Sequence, residues 1–263
     1  MIPTLQTAIT AVLPPICPVS GEEVGAQGAL SPAAWSELVF ISSADCRRCG
    51  RNIPGIGESD DTVLCDPCMR TPHRWDRGRA AFQYDGTGRR LILSLKHGDR
   101  LDLAPLLAGW MARAAEPLLA DADLIIPIPL HWTRRIKRRY NQSAELARQL
   151  CAVSGGRDRF APDFLYRSRR TATQDGRDRD ARIANVAAAI KPNPARKTRL
   201  VGRKVLLVDD VMTTGATLDA AADACLDAGA SSVDVVVSAL VNFDPAPYVA
   251  STAKPKDTRN EAD

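Results

Sequence analysis

A run of thirteen residues, VLLVDDVMTTGAT at 205–217, constrains the fold of this chain more than any other stretch. It opens with four consecutive apolar residues, Val205 to Val208, which is typical of a central parallel strand covered on both faces. Residues 218–228 then show a helical apolar pattern that ends before Gly229. The order of strand, small loop and helix predicts an anion site, because free backbone N–H groups and the positive end of a helix dipole meet there.

Two adjacent acids, Asp209 and Asp210, follow the apolar run. Two carboxylates repel a neighbouring phosphate unless they bind something else, and ribose hydroxyls and a divalent cation are the natural candidates. The alternative is an ordinary strand followed by a helix cap, with no ligand. The Walker A and GxGxxG patterns are absent from the sequence, so nucleotide sites built on those patterns are not supported.

The same thirteen residues resemble the phosphoribosyl-pyrophosphate signature of type I phosphoribosyltransferases. The resemblance implies that Asp209 and Asp210 are the catalytic acids and hold the 2′- and 3′-hydroxyls of ribose. It also implies that residues 213–217 wrap the 5′-phosphate, and that Mg²⁺ accompanies the substrate and neutralises its pyrophosphate. The residues of this 213–217 loop are Thr213, Thr214, Gly215, Ala216 and Thr217.

Composition and charge exclude few classes of protein. The formal net charge of +4, from 35 basic and 31 acidic residues, is too small to indicate nucleic-acid binding by itself, although the basic residues are clustered. No apolar run reaches the length of a membrane span. Residues 1–15 lack the basic start of a secretory signal, and their apolar spacing predicts a short amphipathic helix instead. We therefore expect a cytoplasmic protein whose seven cysteines are reduced thiols or metal ligands.

Four of the cysteines form two pairs, Cys46-x-x-Cys49 and Cys65-x-x-Cys68, separated by fifteen residues. This spacing predicts a four-cysteine zinc site, and four thiolates leave no open position, so the zinc is expected to be structural. A redox-active pair is disfavoured, since no thioredoxin-like βαβ pattern surrounds either motif. Because four cysteines need no fifth ligand, we expect the nearby His73 to be exposed to solvent.

An incomplete second pattern precedes these pairs. CPVSG at 17–21 resembles a zinc knuckle with Ser20 in the second ligand place, and LSPAAW at 30–35 resembles an LCxxCW element with Ser31 and Ala34 in place of cysteines. The region resembles a double zinc ribbon whose first site has lost three of its four ligands, leaving Cys17 as a remnant thiol. We therefore expect one zinc, with four apolar side chains in place of the first metal: Trp35, Leu38, Val39 and Phe40.

A basic stretch follows the predicted strand at 124–129. Arginines suit a leaving pyrophosphate because their guanidinium groups are always charged and bind phosphate in a fixed geometry. The alternatives are a solvated basic face and a patch that binds the phosphates of nucleic acid. Lys96, at the end of a helix predicted over 89–96, either reaches the substrate phosphates or simply favours the helix C-terminus. The candidate arginines are Arg134, Arg135, Arg138 and Arg139.

Three stretches together resemble the ComF family: the entry segment 84–98, the PxPLHxxRxxxRxxNQ pattern at 127–142, and the charged segment 167–186. In the last of these, Thr173 and Gln174 align with a Thr-Gln pair of the family, which makes Gln174 a candidate substrate ligand. Transferases of this type close a mobile loop over the substrate here and exclude water; the alternative, on composition alone, is a plain disordered linker.

The resemblance implies an α/β fold of the type I phosphoribosyltransferase class, with a Rossmann-like, mainly parallel sheet and a small N-terminal zinc ribbon. We predict a zinc-ribbon domain over 1–78, a phosphoribosyltransferase domain over 79–244 and a disordered tail over 245–263. Two functions stay open: transfer of a phosphoribosyl group to an acceptor, or a non-catalytic role in competence and DNA uptake that involves single-stranded DNA or a helicase partner. No residue stands out as a general base, and the acceptor and the oligomeric state stay open.

Overall fold

The fold is taken from a computed structural model that describes residues 14–42, 46–53, 62–97, 100–130, 140–168 and 189–241. The helix predicted near the N-terminus and the tail predicted over 245–263 lie outside the described residues. The predicted division into domains at residues 78 and 244 stays a prediction.

A four-stranded parallel sheet forms the centre of the molecule. Its strands are β1 (Gly78–Gln83), β2 (Leu124–Pro127), β5 (Lys204–Met212) and β6 (Ser232–Leu240), arranged in the order β1-β6-β5-β2. A short antiparallel pair consists of β3 (Leu165–Arg167) and β4 (Ile190–Pro192). The predicted α/β class with a parallel sheet is confirmed.

Seven helices connect and cover the strands in the part of the chain that is described. They are α1 (Pro32–Ser36), α2 (Asp66–Arg70), α3 (Gly86–His97), α4 (Ala104–Ala114), α5 (Glu116–Asp121), α6 (Gln142–Val153) and α7 (Ala216–Asp227). Short 3-10 turns lie at Leu101–Leu103, Arg157–Arg159 and Lys197–Leu200. None of these helices combines the length and apolar character needed to cross a membrane.

The apolar residues of β5 alternate between two cores, which makes the molecule three-layered. Val205 and Leu207 pack with α7, the β3-β4 pair and the four zinc-motif cysteines on one face. Leu206 and Val208 pack with α3, α4 and α6 on the other face. Burial on both faces explains why the strand is continuously apolar.

The end of β2 exposes one edge of β5 where the acids lie. β2 pairs with β5 only as far as Pro127, opposite Val208, and the Ile128 N–H still reaches the Val208 carbonyl at 2.9 Å. Pro129 has no N–H with which to extend the ladder. On its other side β5 stays paired with β6 to Met212, so Asp209 and Asp210 lie within the strand and not after it, contrary to the sequence prediction.

The degenerate half of the ribbon covers the outer edge of β1. Phe40 forms an antiparallel bridge with Phe82, and both rings contact Trp110 of α4, with centroids 5.2 and 5.9 Å away. Trp35, which is half-exposed, adds a contact of 6.2 Å to Trp110. These aromatic side chains therefore hold the ribbon against the sheet domain, and Val39 is exposed at 48%. The expectation that four apolar side chains supply contacts in place of the first metal stays a prediction.

The four positions of the incomplete first zinc site nevertheless lie together. The backbone N–H of Ser20 donates to the buried Cys17 Sγ at 3.4 Å, and its hydroxyl lies 3.0 Å from that of Ser31. Ser31 Oγ in turn accepts from the backbone N–H of Ala34 at 3.4 Å and caps α1. Hydrogen bonds between side chains and backbone thus hold this turn.

Candidate functional site

The four paired cysteines form a compact buried cluster. The Sγ atoms of Cys46, Cys49, Cys65 and Cys68 all lie within 4.8 Å of one another, and those of Cys49 and Cys65 are 3.6 Å apart. Tetrahedral zinc with Zn–S bonds of about 2.3 Å places its sulfur ligands about 3.8 Å apart, so the cluster fits the ion. The Cys65 N–H donates to Cys46 Sγ at 3.3 Å, as expected where thiolates carry negative charge. The predicted four-cysteine zinc site is confirmed.

The two acids of β5 are held by different helices at the carboxyl edge of the sheet. Ser143, in the first turn of α6, donates its hydroxyl proton to Asp209 Oδ1 at 2.7 Å, and the Asp210 N–H donates to the same oxygen at 2.9 Å. Asp210 instead forms an ion pair with Lys96 of α3, with Nζ 3.0 Å from Oδ1. The structure therefore brings three predicted site residues together: Lys96, Asp209 and Asp210.

Burial and the neighbouring charge of Asp210 raise the pKa of Asp209 to about 7, although the hydrogen bond from Ser143 opposes this shift. A carboxyl group in this environment holds a proton in a substantial fraction of molecules at neutral pH. A ligand that donates hydrogen bonds or brings a cation would favour the ionised form instead. Strongly shifted acids in such a position are typical of functional sites.

Asn141 joins the loop after β2 to the start of α6. Its Oδ1 accepts from the Ser143 N–H at 3.1 Å as the helix N-cap, and its Nδ2 donates to the Ile128 carbonyl at 3.0 Å. The cap fixes the first turn of α6 and so places the Ser143 hydroxyl on Asp209. Sequence reasoning did not identify Ser143. The sequence feature that could have indicated it is its position two residues after Asn141, which belongs to the family pattern at 127–142.

The neighbours of Asn141 fix the end of α3. Tyr140 donates its hydroxyl proton to the Leu95 carbonyl at 2.7 Å, and Gln142 Nε2 lies 3.5 Å from the Lys96 carbonyl. These contacts hold the turn that carries Lys96. Residues 140–142, the last two of which end the family pattern at 127–142, therefore position both residues that contact the acids, Lys96 and Ser143.

The 213–217 loop connects β5 to α7 directly. A bend over 213–215 follows Met212, and Gly215 is the N-cap of α7 with φ +79°, a left-handed conformation that favours glycine. Thr214 Oγ1 lies 3.5 Å from the Ala216 N–H. The first backbone N–H groups of α7 have no partners within the helix, so the loop offers donors and a positive dipole end beside the acids.

His73 contradicts the expectation that it is exposed. Its side chain is only 9% exposed, its Nδ1 lies 2.9 Å from Asp219 Oδ2, and its ring stacks on Trp75 with centroids 4.1 Å apart. The reason is that α7 supplies a carboxylate and Trp75 an apolar face, so the imidazole has partners that local sequence does not show.

Five predicted ligands belong to two ranges outside the part of the chain that the structure describes. Residues 131–139 and 169–188 lie outside the described residues. These ranges contain Arg134, Arg135, Arg138, Arg139 and Gln174. Their roles stay predictions.

Two family models match the chain in the order that the structure shows. A double zinc ribbon domain matches residues 8–69, and a phosphoribosyl transferase domain matches residues 111–262. The first match contains the four-cysteine cluster, and the second contains the acids and the 213–217 loop.

Curated relatives match most of the chain. The DNA utilization protein YhgH of Salmonella typhimurium is 30% identical over 197 residues, which cover 72% of this chain and 81% of the relative. Competence protein F of Haemophilus influenzae is 28% identical over 182 residues, covering 66% and 75% respectively. Among solved structures, phosphoribosylpyrophosphate synthetase from Mycobacterium smegmatis is 18% identical with a TM-score of 0.31, and the match covers 55% of this chain and 35% of that chain.

Proposed function

The chain belongs to the phosphoribosyl transferase domain family, in the ComF group that adds a double zinc ribbon, and from this premise we propose that its site binds phosphoribosyl pyrophosphate together with Mg²⁺. The observation that carries the proposal is an acid pair on the open edge of β5, followed closely by a bend and the first turn of α7. A ribose held by the acids and a phosphate held by the loop require this arrangement at the carboxyl edge of a parallel sheet.

The acids bind the sugar and the loop binds its phosphate. Asp209 and Asp210 accept hydrogen bonds from the 2′- and 3′-hydroxyls, which favours the ionised form of Asp209. Backbone N–H groups of residues 213–217 and the dipole of α7 bind the 5′-phosphate. Since Asp209 has a pKa of about 7 in the free protein, ligand binding near neutral pH should release protons.

Lys96 changes partner when the substrate binds. Without ligand its ammonium lies 3.0 Å from Asp210 Oδ1, so it neutralises part of the acid pair. Ribose hydroxyls that reach Asp210 free the ammonium for the pyrophosphate, which follows C1 of the same sugar. Four arginines that follow β2, together with Gln174, complete the pyrophosphate side: Arg134, Arg135, Arg138 and Arg139.

Catalysis goes one step beyond binding. A transfer breaks the bond from ribose C1 to pyrophosphate and forms a bond from C1 to an acceptor, through an oxocarbenium-like transition state. Bound Mg²⁺ would neutralise charge on the departing pyrophosphate. The chain's own residues position the sugar, through the acid pair, and the phosphate, through the 213–217 loop.

Pyrophosphate release tests the transferase activity. Zinc-loaded protein is incubated with phosphoribosyl pyrophosphate, Mg²⁺ and a panel of nitrogen acceptors, and release is measured for wild type and for Asp209→Asn with Asp210→Asn. The transferase proposal predicts magnesium-dependent release that falls at least a hundredfold in the double variant. Asp158→Asn, which changes an exposed acid in the 3-10 turn Arg157–Arg159 after α6, is the matched control. Release that is equal in all three proteins contradicts the proposal.

The names of the relatives favour a second candidate function. Proteins called DNA utilization protein and competence protein match 72% and 66% of this chain, respectively. We propose as the alternative that the chain binds single-stranded DNA or a helicase partner through the basic stretch after β2, without catalysis. This function predicts oligonucleotide binding that weakens steeply with salt, survives the double acid substitution, and falls when Arg138 and Arg139 are changed to alanine. Binding that is insensitive to salt and to both arginines contradicts it.

A further inference from the structure

A linker of three residues, His73 to Trp75, contacts both the zinc cluster and the 213–217 loop. We propose that His73 and Trp75 are positioning residues for this loop, and that zinc and the phosphate ligand consequently bind with positive coupling. The second half of the inference rests on the proposed phosphate site, whereas the first half concerns the loop itself.

On the zinc side, hydrogen bonds join the linker to the turn Cys46–Cys49, which carries two of the cysteine ligands. Arg48 lies between Cys46 and Cys49, and its carbonyl accepts from the indole Nε1 of Trp75 at 2.6 Å. Its guanidinium donates to the carbonyls of His73, at 2.7 Å, and Trp75. Arg48 therefore holds both linker residues from inside the metal-binding turn.

The Cys46–Cys49 turn lies so close to the start of β1 that no side chain fits at Gly78. A Cβ at Gly78, the first residue of β1, would lie 2.2 Å from the Arg48 carbonyl oxygen. The indole of Trp75 is fully buried between these elements. The zinc turn is thus part of the packing that places Trp75, and not a separate appendage.

On the loop side, the stacked rings lie directly against Gly215. A Cβ there would lie 2.6 Å from Trp75 Cη2 and 2.9 Å from His73 Cε1. The positive φ of Gly215 turns the chain from β5 into α7 at this point. The rings therefore form the surface on which the backbone of the loop rests.

Asp219 adds a polar link between the linker and the first turns of α7. Its Oδ2 lies 2.9 Å from His73 Nδ1, and its Oδ1 accepts from the Arg74 N–H at 2.8 Å. Both carboxylate oxygens are thereby directed to the linker. His73 is thus held both by Arg48 of the Cys46–Cys49 turn and by Asp219 of the helix end that supplies the free N–H groups.

Contacts run without a gap from the thiolates through Arg48 and the stacked rings to the loop. Zinc orders the cysteine turn, so it also orders the surface under the loop. A ligand that requires the ordered loop must then raise the affinity for zinc by the same factor by which zinc raises the affinity for the ligand.

Amide hydrogen exchange of the full-length, zinc-loaded protein tests the positioning role without any ligand. We expect exchange of the Asp219 N–H, which donates to the Gly215 carbonyl at 2.8 Å, to quicken about tenfold in His73→Ala, because the variant loses a charged hydrogen bond and the ring packing against Gly215. Arg74→Ala is the matched control, since it removes only the exposed ion pair with Asp223 and keeps the backbone bond to Asp219. His73→Asn restores a donor near Nδ1 and should recover part of the protection. Exchange of the Asp219 N–H that is equal in His73→Ala and wild type overturns the inference.

Titration with ribose 5-phosphate tests the coupling. We expect Arg48→Ala, with one zinc per chain still bound, to weaken ligand affinity about tenfold, within the usual range of coupling between sites. Zinc affinity, measured by competition with a chelator, should rise when ribose 5-phosphate is added to wild type and rise less in Arg48→Ala. If Arg48→Ala binds ribose 5-phosphate as tightly as wild type, or if the ligand leaves zinc affinity unchanged, the coupling is overturned. The positioning role is not affected by either result. A wild-type protein that binds no phosphoribosyl compound overturns the proposed function, and the exchange measurement still decides the positioning role.

Discussion

The ionised carboxyl group of Asp209 is unfavourable in the free protein but can be stabilised by a ligand. Its carboxyl group is desolvated by burial and lies beside a second acid, and its one side-chain hydrogen-bond donor is neutral. The charged form is consequently disfavoured until something supplies donors or positive charge. Asp210, by contrast, already has Lys96 as its partner. This asymmetry between neighbouring acids is unexpected from sequence, where they are equivalent.

The pH dependence of stability should report this residue. Because the folded pKa of about 7 exceeds the unfolded value of about 4, folded Asp209 binds a proton more tightly, and its contribution to the free energy of unfolding decreases as pH rises from about 4 to 7. We therefore expect Asp209→Asn to be more stable than wild type by roughly 2–4 kcal/mol at pH 8 and nearly equal to it at pH 4. Urea unfolding at both pH values measures this, with Asp158→Asn as control. An advantage that is the same at both pH values contradicts the assignment.

Gly215 permits a second test at the level of one residue. Alanine there adds the strain of a left-handed backbone and a clash with Trp75, whereas Gly202, with φ +72°, has no atom within 4 Å of a built Cβ. We expect Gly202→Ala to lower the free energy of unfolding by about 1 kcal/mol and Gly215→Ala by about 2–4 kcal/mol. Denaturant unfolding of the two variants measures the difference. Equal effects would show that the linker does not support the loop.

At the level of elements, sequence patterns predicted what depends on local periodicity. The strand beginning near Val205 and the helix after Gly215 were both expected, because apolar spacing reports the burial of their faces. The extension of β5 through the acids was not expected, because it depends on the pairing of Met212 with Leu240, which is remote in sequence. Ser143 was missed for the same reason: its importance arises only when α6 meets β5.

The N-cap of α6 gives the prediction for this scale. Asn141→Ala removes the cap of Ser143 and the bond to the Ile128 carbonyl, so we expect a loss of about 1–2 kcal/mol in stability together with weaker ligand binding. Asn193→Ala is a close control, because Asn193 also caps a backbone N–H two residues on and donates to a carbonyl, that of Asp163, but at an exposed position. Ligand affinity that falls equally in both variants would argue against a positioning role for Asn141.

At the scale of the whole molecule, the zinc cluster and the sheet share one core. The four cysteines and Trp75 lie in the same buried cluster as Leu207 of β5 and Leu218 of α7. The four-cysteine spacing predicted the metal site, but a spacing does not show what the site packs against. The position of His73 could not be predicted because its partners are brought to it by the folded sheet domain.

Zinc removal should therefore affect more than the ribbon. If the metal contributes about 4 kcal/mol, as binding at a thousand times its dissociation constant implies, the melting temperature should fall by roughly 8–16 °C. We expect calorimetry to show a single unfolding transition both before and after chelation. Near-ultraviolet circular dichroism should be lost in the same transition. A sheet domain that melts at the original temperature would mean that the cluster is energetically separate.

The central claim is that the acid pair of β5 and the 213–217 loop form one site for phosphoribosyl pyrophosphate. Isothermal titration calorimetry of zinc-loaded protein in Mg²⁺ tests it most directly, in two buffers of different ionisation enthalpy so that proton release is measured. The account predicts binding at micromolar to millimolar concentrations with proton release near pH 7, both lost in Asp209→Asn with Asp210→Asn. Absence of heat at millimolar ligand from folded wild-type protein, or equal binding by the double variant, would contradict it.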